Sequence, residues 1–235
     1  MYHAPNQAAE HPLSQALSRG LEQRRQAVTT ALRNSLRLPS DSPEVAAAAL
    51  NQHMHSKGPE SLDLVELTLL VAWPLQALAP IVREATRTLR PEGLFMCGSL
   101  GPGSLRTLLG GLGIDGSWLS QRLPDMHDLG DLLVRSGLSA PVMESEMLTL
   151  TYRQRGLCLS DLHGLLPRAG APGLRGSATA DLLSEALERA RSADGRIQMP
   201  FELVFGHAWC GHAKPQPANP GGPIPIRITR PNRFS

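Results

Sequence analysis

Lysine is almost missing from this chain, with only Lys57 and Lys214 among its 23 basic residues. The rest are arginines, and with 21 acidic residues the net charge is only +2, so there is no strongly basic face to expect. The densest arginines, Arg24, Arg25, Arg33 and Arg37, read as the solvated side of an amphipathic helix. Aromatic residues are scarce at 4%, so stacking platforms for bases are not indicated and no nucleic-acid partner is expected. Cysteine occurs three times, at Cys97, Cys158 and Cys210, too few and too scattered for a disulfide framework. No apolar run approaches the roughly 18 to 20 residues that a bilayer crossing needs. Met1 to Glu10 is polar, without the basic start and apolar centre of a secretory signal, so the expected location is the cytoplasm. What is present is a chain of 235 residues that is 41% hydrophobic, enough to bury a continuous core.

Leu13, Leu17, Leu21, Val28, Leu32 and Leu36 recur at steps of four and seven and predict one helix over about 12–37. Ser42 before Pro43 reads as the cap of a second helix reaching about His55, and Lys57-Gly58-Pro59 stops it. Leu62 to Trp73 is a nearly continuous apolar run, the pattern of a strand covered on both faces. A helix from Pro74 with Leu78, Ile81, Val82, Ala85 and Leu89 on one face follows, then Pro91-Glu92-Gly93 and a second buried strand over 94–99. Strand, helix and strand make a right-handed βαβ unit with parallel strands. Further along, Asp125 caps a helix that Gly137 ends, residues 146–153 alternate as a strand, and 161–166 read as a short helix. A helix over 181–193 and a last strand over 201–209 complete the pattern. The chain from Lys214 onward is rich in proline and glycine and reads as a loosely held tail; no internal repeat is found.

Several of these segments, taken together, resemble class I S-adenosylmethionine-dependent methyltransferases, specifically the group that includes the malonyl-acyl-carrier-protein O-methyltransferases of biotin synthesis. They are Leu62-Asp63-Leu64-Val65 through Trp73, Leu89-Arg90-Pro91-Glu92-Gly93, and Gly101-Pro102-Gly103-Ser104-Leu105-Arg106. Asp125 to Asp131, Leu148 to Arg153 and Phe201 to Trp209 add to them, so the likeness covers roughly 62–209. Where the family has Asn and His in the first segment, this chain has Thr68 and Ala72. The family's acidic-Gly-Cys-Gly loop, expected upstream, has no counterpart in Met1 to Glu60, whose only glycines are Gly20 and Gly58.

The resemblance implies an α/β fold: the second half of a Rossmann-like methyltransferase sheet, truncated or degenerate at its N-terminal half, with the final strand antiparallel. Three parts are expected: an N-terminal helical segment over 1–60 covering the place of the missing strands, a methyltransferase-like half-domain over 61–212, and a flexible tail over 213–235. It also implies S-adenosylmethionine as cofactor and a small-molecule or acyl-carrier-protein substrate. Asp63, Thr68, Trp73, Ser99 and Gly101 are the expected cofactor-binding residues, placed near the carboxyl ends of the two recognised strands, where open α/β sheets bind ligands. Two readings of function stay open: methyl transfer to a carboxylate, or an inactive homologue that serves as a partner or regulatory subunit of an intact methyltransferase.

Other constellations are weaker. Gly111, Gly113 and Gly116 fit G-x-G-x-x-G but follow a helix, so they read as a connection. His207, Cys210 and His212 match no standard metal spacing, and no metal is expected. His53 and His55 do not share a helix face and read as surface residues. His127 and Asp128, beside Asp125 and Asp131, are the candidate acid-base pair. Ser104, His127 and Asp128 can be written as a triad, but no nucleophile elbow surrounds Ser104. Trp73, Tyr152 and Trp209 read as core or pocket wall.

Overall fold

The computed structural model describes residues 11–28, 32–39, 42–69, 73–104, 106, 123–165 and 177–211. In chain order these form α1 (Pro12–Gln26), β1 (Ser35–Leu38), α2 (Pro43–Lys57), β2 (Leu62–Leu69), α3 (Leu75–Thr88) and β3 (Leu89–Leu100). Then come α4 (Met126–Arg135), β4 (Leu138–Tyr152), α5 (Arg155–Leu165), α6 (Ser177–Arg189) and β5 (Ile197–Cys210). The five strands make one sheet in the order β1-β2-β3-β5-β4. β1, β2 and β3 run parallel, and β5 inserts antiparallel between β3 and β4.

Both faces of the central strands are covered, which is why β2 is buried along its whole length, whereas the edge strand β4 is largely exposed. On one face Leu13, Leu17 and Leu21 of α1 pack with Leu162 of α5 and Leu187 of α6 over Leu64, Met96 and Phe205. On the other, Leu50 of α2, Ile81 and Val82 of α3 and Leu133 of α4 cover Val65, Leu67, Phe95 and Val204. Caps fix the helix starts: Ser42 Oγ accepts from Val45 N–H, and Asp125 Oδ1 accepts from Asp128 N–H. Gly20 brings α1 close to β5, since a Cβ there would stand 2.4 Å from Phe205 Cζ. Arg24 then lies 3.8 Å above the Phe205 ring centroid and donates to Glu144 at 2.9 Å.

Three expectations are corrected. The helix over 12–37 ends at Gln26, and residues 35–38 form an edge strand beside β2. The backbone N–H groups of Arg33 and Asn34 donate to Asp63 Oδ2 at 2.7 and 2.8 Å, a tertiary capture that outweighs the helical spacing of Leu32 and Leu36. The 1–60 segment is therefore not purely helical; it adds a β1-α2 unit to the sheet. Arg24 is also no solvated residue, being wedged against Phe205 with 18% of its side chain exposed. The later strands are longer than expected, β4 spanning 15 residues and β5 14. The 213–235 tail and the glycines at 111, 113 and 116 lie outside the described residues.

Candidate active site at the carboxyl ends of the parallel strands

β2 and β3 end side by side, with Thr68 opposite Gly98 and Leu69 opposite Ser99. Because side chains alternate along a strand, the expected residues divide between the two faces. Thr68 points with Leu64 and Glu66 toward α1, whereas Ser99 points with Leu69 and Val204 toward the α3 side, where Trp73 is also buried. Ser99 is 2% exposed and its hydroxyl has no hydrogen-bond partner. Among the described residues the only other buried side-chain polar atom in that position is Glu66 Oε1. A buried hydroxyl without a partner costs free energy, so Ser99 is the side chain at this end with bonding capacity to spare.

Beyond Ser99 the chain turns through Gly101-Pro102-Gly103-Ser104, and Glu202 of β5 clamps the turn. Its carbonyl accepts from Gly101 N–H at 2.9 Å, and its Oε2 accepts from Gly103 N–H at 2.6 Å. Ser145 Oγ donates to its Oε1 at 2.9 Å, and the Ser104 hydroxyl donates to its carbonyl at 3.2 Å. A Cβ at Gly101 would stand 2.6 Å from the Glu202 carboxyl carbon, and one at Gly103 2.8 Å from Oε2. Both glycines are required for close approach, but the group that approaches belongs to the chain itself. Neither needs a positive φ. Sequence reasoning missed Glu202; its place in the Phe201 to Trp209 segment gives no hint of a partner 99 residues away.

Asp63 is displaced from this cluster. It is the second residue of β2 and so sits at the amino end of the sheet, opposite the place expected for it. Its Oδ2 accepts from Arg33 and Asn34 N–H, and Arg90 Nε lies 2.6 Å from Oδ1. Burial alone pushes its carboxyl up, but the Asn34 and Arg33 N–H groups and the Arg90 and Arg33 charges outweigh that and hold it below the usual aspartate value. Asp63 ties β1, β2 and β3 together.

His127 and Asp128 lie exposed in the first turn of α4. Ser104 is 1% exposed, donating to and accepting from the Glu202 backbone, which leaves no nucleophile for a triad. Burial pushes the Cys97 thiol up to about 12, and burial with the Asp161 charge pushes Cys158 to about 11, so neither is a thiolate at neutral pH. Tyr152 OH donates to Asp161 Oδ2 at 2.9 Å, at the same end of the sheet as Ser99. Among the described residues no cluster of three metal-ligating side chains occurs, and no helix is long and apolar enough to cross a membrane. His212 lies outside them.

Three parallel strands joined by helices, followed by an antiparallel strand inserted before the edge, define a Rossmann-like sheet of the methyltransferase type. Two curated relatives make the resemblance specific. The malonyl-[acyl-carrier protein] O-methyltransferase of Laribacter hongkongensis is 37% identical over 186 residues, covering 77% of this chain and 61% of that protein. That of Gallionella capsiferriformans is 40% identical over 162 residues, covering 67% of this chain and 54% of that protein. The chain therefore spans little more than half the length of these relatives. Among solved structures, the YcgJ protein of Bacillus subtilis superposes with a TM-score of 0.45 at 12% identity, covering 83% of this chain and 100% of that one, an overlap too slight to argue from. No family model matches the chain.

The residues present fit part of a site for S-adenosylmethionine, the cofactor that the resemblance implies. Ser99 offers a hydroxyl without a partner; Trp73 is buried on the same side of the sheet, and Thr68 on the other. The described part of the β1-α2 connection, Pro39 and Ser42, has no glycine to admit a ligand to the backbone.

Proposed function

We propose that this chain takes part in methyl transfer from S-adenosylmethionine to the carboxylate of a malonyl group carried on acyl carrier protein. The observation that carries the reading is the orphaned Ser99 hydroxyl at the carboxyl end of β3, on the side of the sheet where Trp73 is buried, in a chain 37% identical over 186 residues to a methyltransferase named for that substrate. S-adenosylmethionine supplies an electrophilic methyl group. Ser99 holds a polar edge of the bound ligand, and Trp73 closes the apolar side against water. Glu202 fixes the Gly101–Ser104 turn so that the end of β3 does not move on binding.

A malonyl carboxylate is already ionised at neutral pH, so its oxygen needs no general base. It leaves His127 and Asp128, exposed in the first turn of α4, without a required part in the transfer. Rate enhancement then rests on holding the carboxylate in line with the methyl group. The test is incubation with methyl-labelled S-adenosylmethionine and malonyl-acyl carrier protein, with ester formation followed by mass. A methyl ester on the malonyl group supports the reading, and an unmethylated carrier with the donor in excess contradicts it.

A further inference from the structure

A cavity of about 480 Å³ opens at the opposite end of the sheet, where β1 and β2 begin and α2 ends. Its wall carries Arg33, Asn34 and Ser35 from the start of β1, His53 and Lys57 from the last turns of α2, and Ser61 just before β2. No carboxylate lines it. Neither Arg33 nor Lys57 has an ion-pair partner within 4.0 Å among the described residues. The nearby carboxylate of Asp63 is already committed, with Oδ2 accepting from two backbone N–H groups and Oδ1 against Arg90.

We propose that this cavity is a second site that binds a small phosphorylated anion, recognised through its phosphoryl oxygens by Arg33 and Lys57. Two cationic side chains lining one concave, mostly polar wall concentrate positive potential there, and the guanidinium matches paired phosphoryl oxygens. The cavity is within the roughly 300–1,000 Å³ range of small-molecule sites. Its walls are also fixed before any ligand arrives. Asp63 pins the backbone at Arg33 and Asn34, and the Ser61 hydroxyl donates to Gly58 O at 2.9 Å. With that proton used, Ser61 Oγ must accept from His53 Nε2 at 2.8 Å, which sets the orientation of the imidazole. Preorganisation of this kind lowers the ordering cost of binding. Lying at the amino ends of the strands, the site is separate from the carboxyl-end cluster, so either can fail without the other.

Isothermal titration of the full chain with inorganic pyrophosphate and with adenosine diphosphate, at low ionic strength, tests this. The expected result is saturable binding that weakens as salt is added, with each of Arg33→Gln and Lys57→Gln losing about tenfold in affinity. Both residues are exposed, so melting temperature should hold; Lys57→Glu, at the exposed end of α2, is the second variant and should abolish binding. Equal affinity for the two probes assigns the site to a bare pyrophosphate, and tighter binding of the diphosphate to a nucleotide. Absence of binding to both probes, or affinity unchanged in the Arg33→Gln/Lys57→Gln double variant, overturns the proposal.

Discussion

Glu202 fills the space that a side chain at Gly101 would need, its carboxyl carbon lying 2.6 Å from where a Cβ would be. The same carboxylate accepts from Gly103 N–H and from Ser145 Oγ, so one residue of β5 holds the turn after β3 and touches β4 as well. Among the described residues, the turn at the carboxyl end of β3 is held by contacts within the chain.

Substituting Gly101 should therefore be costly. Gly101→Val is expected to lower stability by about 1–3 kcal/mol through overpacking against Glu202. Gly156→Ala is the control, since a Cβ at that α5 position meets nothing within 4 Å and should be neutral or gain a few tenths of a kcal/mol. Chemical denaturation of both variants checks this. Equal losses would mean that the contact with Glu202 does not govern Gly101.

Asp63 should make stability depend on acid. A carboxyl held below its unfolded value contributes stability that is present above the unfolded value, about 3.9, and lost as pH falls through the folded one. Wild-type stability should thus decline below about pH 4, and Asp63→Asn should show a shallower decline on a lower plateau, about 2–3 kcal/mol down at pH 7 for the weakened charge-assisted bonds. Denaturant midpoints across pH 2–7 supply the measurement. An unchanged slope in Asp63→Asn would assign the acid sensitivity to another group.

Glu66 is 3% exposed on β2, with one oxygen 3.4 Å from Arg37 and the other without a partner. Arg37 is 58% exposed at the sheet edge, so the pair is worth little. Glu66→Leu is expected to raise stability by about 1–3 kcal/mol, because it removes an unsatisfied buried oxygen. A loss of more than about 1 kcal/mol would show that this carboxylate supports the fold.

The βαβ unit of β2, α3 and β3 was legible because an apolar run, a helix with one apolar face and a second short run each carry their own period. β1 was not, because Val28, Leu32 and Leu36 keep a helical spacing while hydrogen bonds to Asp63, 29 and 30 residues further on, pull the chain into the sheet. Asp63 lies at the amino end, where its rank as second residue of an apolar run puts it, and not at the carboxyl end expected from the resemblance. The need for small residues at Gly101 and Gly103 could be read, but not that Glu202 is what presses on them. Long-range polar contacts leave no periodicity in a sequence.

The proposed function requires the carboxyl ends of β2 and β3, through Ser99, to hold the methyl donor. Isothermal titration of wild type and Ser99→Ala with S-adenosylmethionine, with melting temperature followed in parallel, tests it most directly. Wild type should bind saturably and Ser99→Ala about tenfold more weakly, the value of one hydrogen bond, with melting temperature unchanged or raised because an unpaired hydroxyl is gone. Absence of binding by wild type, or equal affinity in the two proteins, would contradict it.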